Sequence, residues 1–202
     1  MKKRLLMFAV LAVLVVGGTG CSKFAEVKEM FAEAEEEGDS EKEETSEAPA
    51  FEGEEGEVQD ACSAFFEAYT ALDGEKAGEM IRYGQTLEFS ELQGALSEDI
   101  QVVISSIQVD GGDAEVQAQI TNIDMEAVIE GLPEDISSKE EATEAMIKAI
   151  KDKDAPTATF EVTLLFTKTE ETWLVEITPE LSDALLGGYQ SFLNKLLEEM
   201  IS

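Results

Sequence analysis

The sequence contains no histidine and few basic residues. Without histidine, Ser-His-Asp and Cys-His catalysis and imidazole-based zinc sites are excluded, so acid–base chemistry would fall to Asp, Glu, Tyr or Lys. The chain carries 45 acidic against 14 basic residues, a formal net charge of −31. Phosphate binding depends on Lys and Arg that displace counterions, so a chain with this charge is not expected to bind nucleic acid. We therefore expect a strongly acidic protein that uses no histidine-dependent chemistry.

Only two cysteines are present, and the first follows a signal-like segment. Residues 2–4 are basic, and residues 5–16 form an apolar run that is too short for the roughly 20 residues of a membrane span. Gly20-Cys21 closes this segment and resembles the lipobox of bacterial lipoproteins, although Gly18 stands where that family usually has leucine. In that family the cysteine is acylated and becomes the new N-terminus. An ordinary signal peptide is the alternative interpretation.

This resemblance implies three parts: a signal peptide over residues 1–20, a lipidated Cys21 with an acidic tether over residues 21–56, and a folded domain over residues 57–202. Removal of the signal would bring the net charge from −31 to −34, because its charged residues are all basic. A lipidated Cys21 would leave Cys62 without an intramolecular disulfide partner. The expected location is the outer face of the cell membrane, with Cys21 as the lipid-attachment site.

The tether is predicted from its composition. Residues 22–58 hold 15 acidic residues and three lysines, with too few apolar groups to offset chain entropy. Apolar residues at near-helical spacing, from Phe24 to Ala34, leave open a short helix or a motif that folds on a partner.

Apolar spacing predicts helices in the folded domain over 57–72 and 75–82, with a weaker one around Leu92. Further helices are predicted over 124–130, over 138–151 after a capping-box sequence, and from Thr178-Pro179 to Leu186. Two glycines then precede a terminal apolar stripe. The stripe consists of Tyr189, Phe192, Leu193, Leu196, Leu197 and Met200. It is expected to break from the preceding helix at Gly187-Gly188 and to turn inward, with a contact surface for another chain as the alternative.

Alternation at period two predicts four strands in two hairpins: 100–109 with 114–121, and 160–166 with 173–177. The fold class is therefore α+β: N-terminal helices packed on a curved four-stranded antiparallel sheet, with a helical insertion at 124–153 and a C-terminal helix. The predicted core comprises Phe65, Val116, Phe160, Leu164 and Trp173, with Cys62 beside them.

This order of elements resembles the nuclear transport factor 2-like, or cystatin-like, fold. The closer likeness is to uncharacterised lipoproteins of Gram-positive bacteria that carry such a domain behind a lipobox. The resemblance covers about residues 57–188, and the stretches that carry it are Ala64–Tyr69, Ile120–Asp124, Trp173–Ile177 and Asp183–Gly187. It implies a cone-shaped cavity on the inner side of the sheet. The helical insertion and the tail after Gly188 depart from the minimal fold that encloses such a cavity.

Few residues stand out as chemistry-bearing. Asp110 and Asp113 flank a hairpin turn, and they lack the spacing of a calcium loop. Asn122 and Asp124 suit a turn and a helix cap, or else the mouth of a cavity. Cys62 and Trp173 fall at core positions, with a reactive thiol and a ligand platform as the respective alternatives.

No catalytic residue, metal ligand or cofactor site is therefore assigned from the sequence. The chain is interpreted as a membrane-anchored, extracytoplasmic module that binds a small molecule, a peptide or an envelope protein. The alternatives are an envelope enzyme that uses cavity carboxylates and a purely structural envelope component.

The anchoring hypothesis is tested by Cys21→Ser. Without the thiol there is no acylation, so the variant should leave the membrane fraction or persist as an unprocessed precursor. Cell fractionation and intact mass measure this. A variant that stays in the membrane fraction with an unchanged processed mass would show that Cys21 is not the anchor.

Overall fold

The computed structural model describes residues 51–84 and 86–201, and these form seven helices and four strands. The helices are α1 (Glu54–Thr70), α2 (Gly74–Glu79), α3 (Glu91–Ser97), α4 (Met125–Glu130), α5 (Lys139–Ile150), α6 (Pro179–Leu185) and α7 (Tyr189–Ile201). The strands are β1 (Gln101–Asp110), β2 (Asp113–Ile123), β3 (Thr157–Thr169) and β4 (Thr172–Glu176).

The four strands form one antiparallel sheet in the order β1-β2-β3-β4. The Asp110–Asp113 turn joins the first two strands, and the second hairpin joins the last two. From Asp113 to Ile120 the burial alternates strictly, because every second side chain points to the helices and the others point to solvent; Asn122 and Ile123 at the end of β2 are both buried. The predicted α+β class, sheet, helical insertion and C-terminal helix are thereby confirmed.

Two apolar clusters hold the domain together. The first lies between α1 and the inner face of the sheet, and α2 and α6 contribute to it. Phe65, Val116 and Leu164 are each no more than 1% exposed there, and Cys62 lies among them. The second cluster is built by α3, α4, α5 and the first half of α7. The helical insertion thus has its own small core at the end of the sheet.

Several helix boundaries differ from the prediction. α1 begins at Glu54, three residues early, and Phe51 before it packs on the first cluster. α2 ends at Glu79, because Ile81 leaves the helix to form a parallel bridge with Val175 at the edge of β4. A pairing partner that is distant in sequence therefore overrides the local helical spacing.

Phe160 was predicted to be buried, and it is only half-buried. Its ring lies against Gly188, where a Cβ would be 3.0 Å from the ring atom Cε1. Glycine has no side chain to cover that edge of the ring. Trp173, on the neighbouring hairpin strand, is 4% exposed as predicted.

The terminal stripe divides into two halves. The chain breaks at Gly187-Gly188 as predicted, and Tyr189 and Phe192 are each 4% exposed within the second cluster. Leu197 and Met200 were expected to turn inward, but they are 43% and 45% exposed. Leu193 and Leu196 still pack against the second cluster as partly buried residues, and beyond them α7 contributes no apolar side chain to it.

The break has a steric cause beyond glycine's tolerance of positive φ. Gly187 has a φ of 63°, and a Cβ placed there would lie only 2.1 Å from the backbone oxygen of Ile123. The same residue accepts a hydrogen bond at its carbonyl oxygen from the Met125 amide, at 3.0 Å. The corner between α6 and α7 is therefore pressed directly onto the end of β2.

Gly187→Ala measures this close approach, and Gly111→Ala is the matched control. Gly111 has nearly the same φ, 62°, but open space around its Cβ position. We expect a loss of about 1–2 kcal/mol at Gly111 from the left-handed conformation alone. The loss at Gly187 should exceed that, or the variant should fail to fold. Urea denaturation of the full chain measures both, and equal losses would show that the corner yields freely.

Candidate functional site

Asn122 is the buried polar residue at the end of β2, and it is 1% exposed. Its side-chain Nδ2 donates hydrogen bonds to the carbonyl oxygens of Ala184 and Leu185, both at 3.1 Å. Its Oδ1 accepts a bond from the Ile123 amide at 2.7 Å. These carbonyls belong to the last turn of α6, where intrahelical donors run out; the Ala184 carbonyl also accepts a bond from the Gly187 amide at 3.1 Å. Asn122 is thus a structural clasp between the sheet and α6.

Asp124 caps α4, as the sequence predicted, because its Oδ1 accepts a hydrogen bond from the Ala127 amide at 3.1 Å. The cap of α7 comes instead from the preceding helix. Asp183 Oδ1 accepts bonds from the Gln190 and Ser191 amides at 2.8 and 3.1 Å. The position of Asp183, far outside the usual cap position, hid this role from sequence analysis.

A charged cluster joins the start of α1 to the second hairpin. Lys168 Nζ lies 3.0 Å from Glu57 Oε2 and 3.5 Å from Glu54 Oε1, and it sits 5.2 Å from the centre of the Trp173 ring. The hydrogen bond from Lys168 lowers the pKa of Glu57, and the same bond raises the pKa of Lys168. The Glu57 carboxylate therefore adds stability above its unfolded-state pKa, and this contribution is lost as the pH falls through the lowered folded-state value.

Two buried polar atoms lack hydrogen-bond partners in the described part of the chain: Trp173 Nε1 and Tyr189 Oη. Burial raises the pKa of Tyr189 to about 12, and it does the same for the Cys62 thiol. A thiol with that pKa is protonated at neutral pH, which favours the core interpretation of Cys62 over a reactive one.

The inner side of the sheet is lined by buried apolar side chains. The buried residues of polar type in the described part of the chain are Ser97 and Asn122, and both donate hydrogen bonds to backbone carbonyls. No described Asp or Glu is buried. The described carboxylates therefore lack the desolvated setting that raises the pKa of a general acid.

The outward side chains of β1 and β2 are mostly exposed, and Ser106 and Thr121 are half-exposed. The outward positions carry amides, hydroxyls and carboxylates together with the apolar Val103, Leu165 and Leu174, and none of the outward positions is Lys or Arg. The carboxylates are Asp110, Asp113, Glu115, Glu161 and Glu176. We call these outward positions of the four strands the outer sheet face.

Cross-strand hydrogen bonds hold parts of this face in place. The hydroxyls of Thr121 and Thr159 are 2.9 Å apart, and Thr163 Oγ1 donates to Gln117 Oε1 at 3.1 Å. Thr167 Oγ1 donates to Asp113 Oδ1 at the same distance. These bonds pre-organise polar side chains, which lowers the entropy cost of a contact made through them.

The Asp110–Asp113 turn is a hairpin, as favoured from the sequence, and Asp113 is engaged by Thr167. Among residues 51–84 and 86–201, no group of three or more Cys, Asp or Glu side chains is placed to hold a metal ion. Within the same ranges, no helix is long and apolar enough to cross a membrane. Cys21, the predicted lipid-attachment site, lies outside the described residues.

The molecule is thus an α+β protein whose sheet packs its apolar inner face on helices and carries five carboxylates on its outer face. No protein-family model matches the sequence, and no curated protein does. Among solved structures, an LEH-like epoxide hydrolase of M. tuberculosis is similar at 16% identity and a TM-score of 0.31, over 71% of this chain and 99% of that one. Similarity at this level carries no conclusion about chemistry, and the nuclear transport factor 2-like resemblance rests on the order of the elements.

The clasp is tested by Asn122→Asp, with the exposed Asn194→Asp as the control. A carboxylate has no hydrogens to donate to the two α6 carbonyls, and it is charged in a buried position. We expect a loss of about 3–5 kcal/mol at neutral pH, against little change at Asn194. Burial raises the pKa of the new carboxyl group above its unfolded value, so stability should be partly regained as the pH falls towards 4. A loss that does not vary with pH would exclude a buried charge as the cause.

Proposed function

We propose that this chain is an extracytoplasmic lipoprotein, anchored through Cys21, whose folded domain binds a basic envelope protein through the outer sheet face. The anchor rests on the basic, apolar and Gly-Cys segments of residues 1–21. The binding role rests on one observation: the inner face of the sheet packs apolar side chains against the helices, while most of the polar side chains of the sheet lie on its outer face.

The charge of the outer sheet face supports the choice of partner. No outward position itself holds a Lys or Arg; Arg82, beside the edge of β4, lies 2.8 Å from Glu176 and also interacts electrostatically with Asp113. A partner surface with Lys or Arg would supply the missing charge, and complementary charge raises the association rate and selects partners. A second acidic surface would be repelled.

An enzymatic role draws no support from the described residues. The Glu57 carboxyl, which is exposed and paired with Lys168, has a lowered pKa, opposite to the shift that a general acid needs. The pKa of the Glu141 carboxyl is likewise lowered, because the backbone amide and the hydroxyl of Ser137 donate hydrogen bonds to it. Both groups serve helix termini or contacts between elements.

The proposal is tested by a photo-reactive residue placed at Gln119, the middle of the outer sheet face, in the full chain in intact cells. The control carries the same residue at Glu75, which is exposed on α2. We expect a discrete adduct of defined mass from position 119 and none from position 75.

Charge variants sharpen this test. Replacing Glu115 and Glu161 with Gln should reduce the adduct severalfold, because Glu161 faces position 119 from β3 and Glu115 lies on the same face of β2. Replacing Glu75 and Glu79 with Gln removes equal charge from α2 and should leave the adduct unchanged. Adduct formation that is insensitive to both pairs, or that is absent at position 119, would contradict a charge-selected partner at this face.

A further inference from the structure

β1 is the outermost strand of the sheet, and one of its edges carries no partner among the described residues. The opposite end of the sheet is closed differently, because Met80 and Arg82 exchange backbone hydrogen bonds with Val175 at the edge of β4. An unpaired edge presents a row of backbone N–H and C=O groups, which is a template for another strand.

The side chains of β1 do little to discourage such pairing. Residues 101–109 contain no charged side chain and no proline, within a chain whose net charge is −31. Edge strands are usually protected by charges, and this one has a charge only at its last residue, Asp110. A second copy of so acidic a protein meets the least repulsion along this uncharged strand.

A bulge gives β1 a symmetric pattern. Ile104 pairs with Ala118 and Ile107 with Val116, so Ser105 is the extra residue. Because their partners are two residues apart on β2, Ile104 and Ile107 hold equivalent positions in the ladder and point to the same face. The inward residues are Val102 and Ile104 on one side of the bulge, and Ile107 and Val109 on the other.

This pattern is self-complementary in an antiparallel arrangement. With a twofold axis at the Ser105–Ser106 bond, Ile104 faces Ile107 of a second copy, and Val102 faces its Val109. Both pairs join β-branched side chains on the same face, the type of cross-strand pair that stabilises sheets. Without the bulge, this register would place the facing residues on opposite faces of the sheet.

The burial of β1 also indicates an incomplete edge. Val102, Ile104 and Val109 are only half-buried, whereas Val116 and Ala118 beside them on β2 are at most 4% exposed. Val103, on the outer side, is 57% exposed. A strand added at this edge would cover the apolar seam that the helices leave open.

We propose that β1 pairs antiparallel with β1 of a second copy of this chain, about a twofold axis at Ser105–Ser106, to give a continuous eight-stranded sheet. Such an interface is isologous, so each copy offers the same surface. It needs neither the lipid at Cys21 nor the basic partner of the outer sheet face. A bulge in an edge strand can also prevent pairing with another strand. The two experiments below distinguish between pairing and its prevention.

The first experiment places single cysteines on β1 of the full chain in membranes. In the proposed register, two copies of Ser105→Cys lie about 6 Å apart, so mild oxidation should give a disulfide-linked dimer. Gln101→Cys is the matched control, since it is exposed on the same strand but about 30 Å from its symmetry mate. The unsubstituted chain controls for Cys21 and Cys62. Cross-linking at Gln101 as strong as at Ser105, or none at Ser105, would overturn the proposed register.

The second experiment measures the mass of the full chain in detergent by light scattering. Val103→Glu adds a charge at the seam and should halve the mass of the dimer, while Val103→Thr keeps the branched shape and should not. Gln119→Glu adds the same charge in the same row but one strand further in, and it should leave the dimer intact. A monomeric unsubstituted chain, or a Val103→Glu dimer, would overturn the proposal; equal melting temperatures confirm that the variants are folded.

Discussion

The corner where α6 meets the end of β2 is the contact on which the other elements depend. Asn122 satisfies the last carbonyls of α6, and Gly187 lets the backbone approach the oxygen of Ile123 closely enough to receive the bond from Met125. Asp183, one turn back, then caps α7. One junction therefore sets the direction of α6, α4 and α7 together, and it connects the sheet core to the helical core.

The two apolar clusters stabilise different parts of the molecule. The first cluster packs the helices on the apolar inner face of the sheet, and the outward side chains of β1 and β2 are mostly exposed. The helical insertion, with its own cluster, packs at the far end of the sheet and holds the first half of α7 inward. The proposals for the outer sheet face and for the β1 edge start from this arrangement.

Much of the fold was predictable because local patterns agree with the tertiary contacts. The alternation on β2, the cap at Asp124 and the Thr178-Pro179 helix start all appear as predicted. The predictions that the structure did not confirm concern residues whose positions depend on distant parts of the chain. Ile81 leaves its helix to pair with Val175, more than 90 residues away. The ring of Phe160 stays half-exposed where it lies against Gly188, which has no side chain to cover it. Contacts between segments so far apart leave no signal in a local window.

By itself, the sequence determined the class of the protein, its acidity and the exclusion of histidine chemistry, because composition and periodicity act residue by residue. It also marked Gly187-Gly188 as a break, since glycine costs a helix stability unless the backbone needs it. Only the tertiary structure decided that Asn122 is a clasp, that Lys168 joins α1 to the second hairpin, and that the bulge at Ser105 brings Ile104 and Ile107 to one face. Each of these depends on the register between strands or the approach of one backbone to another, which are properties of packed elements and not of any single segment.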